Sequence, residues 1–221
     1  MFQAEMSDRL IADELQTRFA HATIGRQIIV LEQTSSTNDA ILQVSSHQRT
    51  AVSSPPPLTD EGLVLFAEHQ TAGRGQHGNR WESAAGKGLW FSILLRPGIQ
   101  IDDSGQLTIW AIETVSDVIR TEFSLEPVIK LPNDVQLSRR KVAGVLVEMR
   151  AQKKASHLAV VGIGINVNQS LEDFPPELQS RAISLAMALH RPVDRRKLAV
   201  AALRYLDRTY RERFTAKKVQ S

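Results

Sequence analysis

The chain has 221 residues, 42% of them hydrophobic and 23% charged, with a formal net charge of +3 and no cysteine. That length allows one large domain with a substantial core, and the lack of cysteine excludes disulfides, thiolate metal centres and a cysteine nucleophile. A surplus of three positive charges suits an anionic ligand but is too small for the concentrated basic stripe of a nucleic-acid binder.

No apolar run approaches the roughly 18–20 residues that a membrane helix needs. The N-terminal sequence MFQAEMSDRL has neither the basic start nor the apolar centre of a signal peptide, so the expected location is the cytoplasm. The six histidines, at 21, 47, 69, 77, 157 and 190, show no paired ligand spacing, which argues against a structural metal.

In chain order, residues 7–22 place Ile11, Leu15 and Phe19 on one face of an expected amphipathic helix, with Ser7 as its N-cap. Gln27 to Glu32 reads as a strand. A polar run from Gln33 to Asp39 then leads into the helical pattern of Ala40, Ile41, Leu42 and Val44. Residues 45–60, which include Pro55-Pro56-Pro57, read as a surface loop. Leu63 to Ala67 is a short apolar strand, and Gly88 to Arg96 is another, closed by Pro97-Gly98.

Residues 104–123 form a long amphipathic helix through Leu107, Ala111, Val115, Val118 and Ile119. Val128 to Lys130 begins a strand that stops at a Pro132-Asn133-Asp134 turn. Lys141 to Met149 and Leu158 to Val167 read as buried strands, followed by helices from Ser180 to His190 and from Asp194 to Phe214. Strand-rich segments with helices before, between and after them predict an α+β fold in which a mixed or antiparallel sheet packs against helices.

Four stretches carry possible chemistry. Three glycines, Gly73, Gly75 and Gly78, follow the strand at Leu63 and leave backbone amides open to an anion that Arg74 and Arg80 would also meet. A solvated hairpin explains the same residues. Lys130 ends an apolar strand beside a ladder-breaking proline, with the amide of Asn133 and the carboxylate of Asp134 close behind, as ribose or Mg²⁺ recognition requires; a plain turn fits as well. Ser35, Ser36, Thr37 and Asn38 also fit an ordinary helix cap. GIGINVN at Gly162 to Asn168 continues an apolar alternation, so its glycines belong to a strand and not to a dinucleotide-binding loop.

Taken together, STND at Ser36 to Asp39, the AGRGxxGxxW frame at Ala72 to Trp81, KLPNDV at Lys130 to Val135 with KVAGVLVE at Lys141 to Glu148, and GIGINVN resemble the catalytic domain of biotin–protein ligases over roughly residues 24–214. The resemblance implies a fold like that of class II aminoacyl-tRNA synthetases. It also implies a two-step reaction in which biotin and ATP give biotinyl-5′-adenylate and pyrophosphate, after which a lysine of a biotin carboxyl carrier protein takes the biotinyl group.

Carried onto this sequence, the resemblance gives Ser36, Thr37, Asn38, Gln70, Gly73, Gly75, Lys130 and Gly144 to biotin. It gives Arg74, Gly75, Gln76, Trp81, Asn133, Lys141 and Asn166 to the nucleotide, and Asp134 to a Mg²⁺ ion that accompanies ATP. Lys130 and Arg74 are the expected catalytic cations. Three departures stand out: Gln76 and Asn79 replace arginines usual in the family loop, and Leu131 replaces a tryptophan. The arginine usual at position 76 helps retain the adenylate.

The expected organisation is a helical extension over 1–24, a catalytic domain over 25–216 and a tail over 217–221. Neither a DNA-reading domain nor the family's small C-terminal β-barrel is expected, and a homodimer stays open. Two alternatives share the fold: a non-catalytic biotin or adenylate binding module, and a lipoate or octanoate transferase. The polar trio at Ser36 to Asn38 suits a linear acyl chain poorly.

Overall fold

The computed structural model describes residues 8–19, 21–50, 60–152 and 156–215. Seven strands form one mixed sheet in the order β1-β2-β3-β7-β6-β5-β4. They are β1 (Gln27–Thr34), β2 (Leu63–Gln70), β3 (Gly88–Leu95), β4 (Val128–Lys130), β5 (Asp134–Leu137), β6 (Arg140–Arg150) and β7 (Leu158–Asn166). Only β1 and β2 run parallel; the other pairings are antiparallel. The sheet bears out the predicted α+β class.

Period-two alternation divides the sheet's residues between two layers. Val64, Phe66, Leu89, Phe91, Ile93, Val145, Val161, Ile163 and Ile165 enter one large core with the helices α3 (Ser104–Phe123) and α5 (Arg195–Tyr210). Leu63, Leu65, Leu94, Leu158 and Val160 enter a smaller core with Ala40 and Ile41 of α2 (Thr37–Thr50). α2 covers only part of its face, and the glycines of β6 and β7 lie on the remainder.

Several expectations change in detail. The helix over residues 7–22 shortens to α1 (Ala12–Gln16), and Ser7 lies outside the described residues. Leu10, Leu15, Phe19 and Ile24 nevertheless join the main core, so no packing boundary falls at residue 24. The 217–221 tail also lies outside the described residues, as does most of the proline loop.

Asp134 opens β5 instead of sitting in a turn, because its backbone pairs with Gly144 of β6 on one side and with Lys130 on the other. The helix expected from Ser180 to His190 shrinks to α4 (Leu185–Leu189), capped by Ser184 Oγ, which accepts from Met187 N at 3.1 Å. Its preceding residues are taken by β6: Lys141 N donates to Arg181 O at 2.7 Å, and Ile183 N to Lys141 O at 2.9 Å.

A buried ion cluster ties the N-terminal segment to this core. Arg195, only 2% exposed, pairs with Asp8 at 3.1 Å and with Glu68 at 2.5 Å. Burial alone would lower the guanidinium's pKa, but the two carboxylates outweigh it and raise it.

Candidate functional site

The uncovered part of the α2 face is a pocket. It is lined by Ser36, Thr37 and Asn38 at the start of α2, by Gln70, Arg74, Gly75 and Trp81 from the end of β2 and the glycine loop, by Asn133 from the β4–β5 turn, and by Lys141, Gly144 and Gly164 from β6 and β7. Residues more than a hundred positions apart thus meet in one place.

The floor is a chain of hydrogen bonds. Gln70 Oε1 accepts from Thr37 N at 2.8 Å and from Thr37 Oγ1 at 3.1 Å, while Gln70 Nε2 donates to Ser83 Oγ at 3.1 Å. Ser92 Oγ stands 2.8 Å from Thr37 Oγ1 and 2.6 Å from Asn38 Oδ1. Thr37 Oγ1 and Asn38 Oδ1 each keep a lone pair beyond these contacts. The floor is therefore rich in acceptors that a ligand N–H would meet.

The glycine loop is a small hairpin. Its base is held by Thr71 N to Thr34 O and Ala72 N to Ser35 O, both 2.9 Å, and Arg74 bridges to Arg80 across its stem. At its tip Asn79 closes the turn, donating from its backbone N and from Nδ2 to Gln76 O at 3.1 and 2.9 Å. The loop returns at Trp81, whose ring lies on the surfaces of Gly144 and Gly164. A Cβ at Gly144 would come within 2.9 Å of that ring, and one at Gly164 within 2.6 Å. These strand glycines exist to admit an aromatic wall, in line with the close approach read from GIGINVN.

Lys141 reaches the same wall. Its Nζ is 5.0 Å from the Trp81 ring centroid and 2.7 Å from Asp134 Oδ1. The contact with Asp134 is ionic, since that oxygen lacks an aligned hydrogen bond. The Lys141 backbone is fixed by Arg181 and Ile183 and by buried Asn166, whose Nδ2 lies 3.3 Å from Lys141 O and 3.1 Å from Ile183 O.

The expected site residues therefore divide. Ser36, Thr37, Asn38, Gln70, Arg74, Gly75, Trp81, Asn133, Lys141 and Gly144 converge on the pocket. Gly73, Gln76, Asn166, Asp134 and Lys130 do not line it. Gly73 anchors the hairpin through its carbonyl, which accepts from Trp81 N at 2.9 Å. Asn166 supports Lys141 from beneath.

Lys130 is exposed on β4, the edge strand of the sheet, and does not reach the cavity, so the cation facing the pocket from the sheet is Lys141. A lysine ending an edge strand is free to turn into solvent, whereas Lys141 is clamped on both sides of its backbone.

Three contributors were given no site role from the sequence: Ser92, which lies outside the motifs, and Glu148 and Asp39, which end two of the motifs. Two of the three carried a signal. A serine inside GLWFSILL and a glutamate inside KVAGVLVEM interrupt apolar runs, and a polar group in a buried strand needs a partner. A larger groove runs past Asp8, Glu68, Lys87 and Arg195, but Arg195 is engaged by two carboxylates and Lys87 by Asp173 at 2.6 Å. No group of three or more histidines or carboxylates suited to a metal occurs among the described residues.

Residues 30–166 match the model of the biotin/lipoate A/B protein ligase family. Over 172 residues the chain is 37% identical to the bifunctional ligase/repressor BirA of Bacillus spizizenii, covering 78% of this chain and 53% of that protein. Over 186 residues it is 34% identical to the biotin–[acetyl-CoA-carboxylase] ligase of Mycobacterium tuberculosis, covering 82% and 63%. The chain thus spans between about half and two thirds of the length of these relatives.

Among solved structures, the biotin protein ligase of Aquifex aeolicus in complex with biotin and ATP superposes with a TM-score of 0.67 at 29% identity, over 85% of this chain and 72% of that one. With the family model covering residues 30–166, the strands and loops that build the pocket fall inside it, and the chain belongs to the biotin/lipoate A/B protein ligase family.

Proposed function

We propose that the chain is a biotin–protein ligase that activates biotin with ATP and passes it to a lysine of a carrier protein. One observation carries this reading. The polar floor at Ser36 to Asn38, the glycine-loop arginine Arg74 and the buttressed cation Lys141 surround a single slot walled by Trp81. The acceptors of the floor, Thr37 Oγ1 and Asn38 Oδ1, fit the N–H groups of biotin's ureido ring. The apolar surfaces of Trp81, Gly144 and Gly164 fit its ring and chain.

The first step needs no general base, because a carboxylate is already ionised at neutral pH. A biotin carboxylate oxygen bonds to the α-phosphorus of ATP, and the bond from that phosphorus to the bridging oxygen breaks to release pyrophosphate. The barrier lies in bringing two anions together, which fixed positive charge and alignment reduce. Lys141 and Arg74, the two cations that line the pocket, supply that charge. In the second step a carrier lysine amine attacks the biotinyl carbonyl and AMP leaves.

Mg²⁺ would arrive with ATP as part of the substrate. Asp134 alone is not a metal cage, and its carboxylate is engaged by Lys141. The assay that tests the function is biotin-dependent exchange of labelled pyrophosphate into ATP, run in parallel with lipoate and octanoate. Exchange with biotin alone is expected. Biotin binding without exchange would instead select a non-catalytic module, and exchange with an acyl chain would select the lipoate branch of the family.

A further inference from the structure

Glu148, on β6, has no part in the chemistry above, yet it touches both halves of the site. Its Oε2 accepts from Asn38 Nδ2 at 2.6 Å and from Arg74 Nη2 at 2.8 Å. The same arginine nitrogen donates to Asp39 Oδ1 at 2.9 Å. One carboxylate oxygen on the sheet thus joins the glycine hairpin to the pocket floor.

Two consequences follow from counting hydrogens. Nη2 carries two, and two carboxylates take them, so the guanidinium is held by one corner. Its Nε and Nη1 hydrogens meet no acceptor among the described residues and stay available to an anion in the pocket. A carboxylate can only accept, so it also fixes the Asn38 amide with Nδ2 toward Glu148 and Oδ1 toward Ser92. Both partners are accessible, the Glu148 side chain 28% and the Arg74 side chain 40% exposed, and ion pairs of that kind add little to global stability. Geometry, not stability, is what this contact provides.

We propose that Glu148 is a positioning residue that couples closure of the Ala72 to Trp81 hairpin to the orientation of Asn38, so that flap and floor respond to ligand as one unit. The ligand's identity rests on the ligase reading; the coupling does not.

The test is limited trypsin digestion of the full chain, following cleavage after Arg74 and Arg80 by mass spectrometry. Local cleavage reports how often the hairpin opens. Glu148→Gln should raise cleavage there about fivefold, with the melting temperature moved by less than about 2 °C. Concentrated salt should bring the native protein up to the variant's rate, because the clasp is ionic. Asp39→Asn, which loosens Arg74 while leaving Asn38 anchored, gives the same readout if Glu148→Gln melts early. Native-like cleavage in the well-folded variant, or in Asp39→Asn together with no effect of salt, overturns the proposal.

Saturating biotin should slow cleavage of the native protein and do so less in Glu148→Gln. Equal protection with equal cleavage removes the role of Glu148 and keeps the ligase reading. Faster cleavage of the variant, with biotin affecting neither protein, keeps the role and removes biotin as the ligand.

Discussion

The ammonium of Lys141 lies 5.0 Å from the centre of the Trp81 ring, where the sheet and the glycine hairpin meet. Cation and aromatic wall come from elements sixty residues apart in sequence, and each fixes the other's approach to the pocket. Lys130, in contrast, is exposed on the edge strand.

Lys141→Ala should lower biotin-dependent pyrophosphate exchange by about 10²–10³-fold, the usual cost of losing one charge-stabilising group. Lys130→Ala should leave it within about threefold, since that side chain is outside the pocket. Exchange lost with Lys130 and kept with Lys141 would reverse the assignment.

Gly164→Ala forces a methyl group to within 2.6 Å of the Trp81 ring. Overpacking of this kind costs about 1–3 kcal/mol, and the displaced ring intrudes on the slot. Calorimetry should find biotin affinity reduced by at least about tenfold, whereas the same change at exposed Gly105, where an added Cβ meets nothing within 4 Å, should leave affinity unaltered.

Arg195→Met leaves Asp8 and Glu68 facing one another without their cation. Breaking a buried pair on one side costs about 3–5 kcal/mol, which for a domain of this size lowers the melting temperature by roughly 10 °C. A thermal unfolding curve unchanged by the substitution would show that the cluster contributes no net stability.

Asp173 meets Lys87 Nζ at 2.8 and 2.6 Å through its two oxygens. Burial works to raise its pKa, but hydrogen bonds from Lys87 and Ser170 outweigh burial, and the net shift is downward from the ordinary 3.8. A folded-state pKa below the unfolded one means stabilisation that is complete above the unfolded value and lost as pH falls through the folded value. Asp173→Asn should therefore destabilise by about 1 kcal/mol at neutral pH, and the difference from the native chain should close in the acid range below 3.8. Denaturant melts at several pH values measure it.

Gln76 stands where the family resemblance places an arginine, and its carbonyl is used to close the hairpin tip with Asn79. Adding one charge-assisted contact to a bound adenylate by Gln76→Arg should reduce biotin labelling of bystander lysines about tenfold. Equal labelling by the two proteins would mean that position 76 has no hold on the intermediate.

Much of the scaffold was legible. The long helix over 104–123 appears with the predicted bounds, and the GIGINVN glycines lie in a strand, because both follow from local periodicity that buried packing then reinforces. The short helices were overread: the amphipathic pattern over 7–22 yields only α1, and the segment before α4 pairs its backbone with Lys141 instead. The Pro132-Asn133-Asp134 turn was read one residue too long: the turn ends at Asn133 and Asp134 opens β5. The pairing that makes Asp134 a strand residue comes from Gly144, ten residues downstream.

The sequence by itself determined the class of fold, the four motifs and most residues that reach the pocket, since strand alternation and glycine placement are local properties. Which lysine lines the pocket is visible only in three dimensions. Lys130 and Lys141 both stand beside strands in apolar surroundings, and nothing local separates them. The separation comes from sheet order, which leaves β4 at an edge open to water while β6 runs between β5 and β7 with its backbone gripped by Asn166 and the 181–183 segment. Likewise, Glu148, Arg74 and Asn38 become neighbours only when β6, the hairpin and α2 fold onto one face.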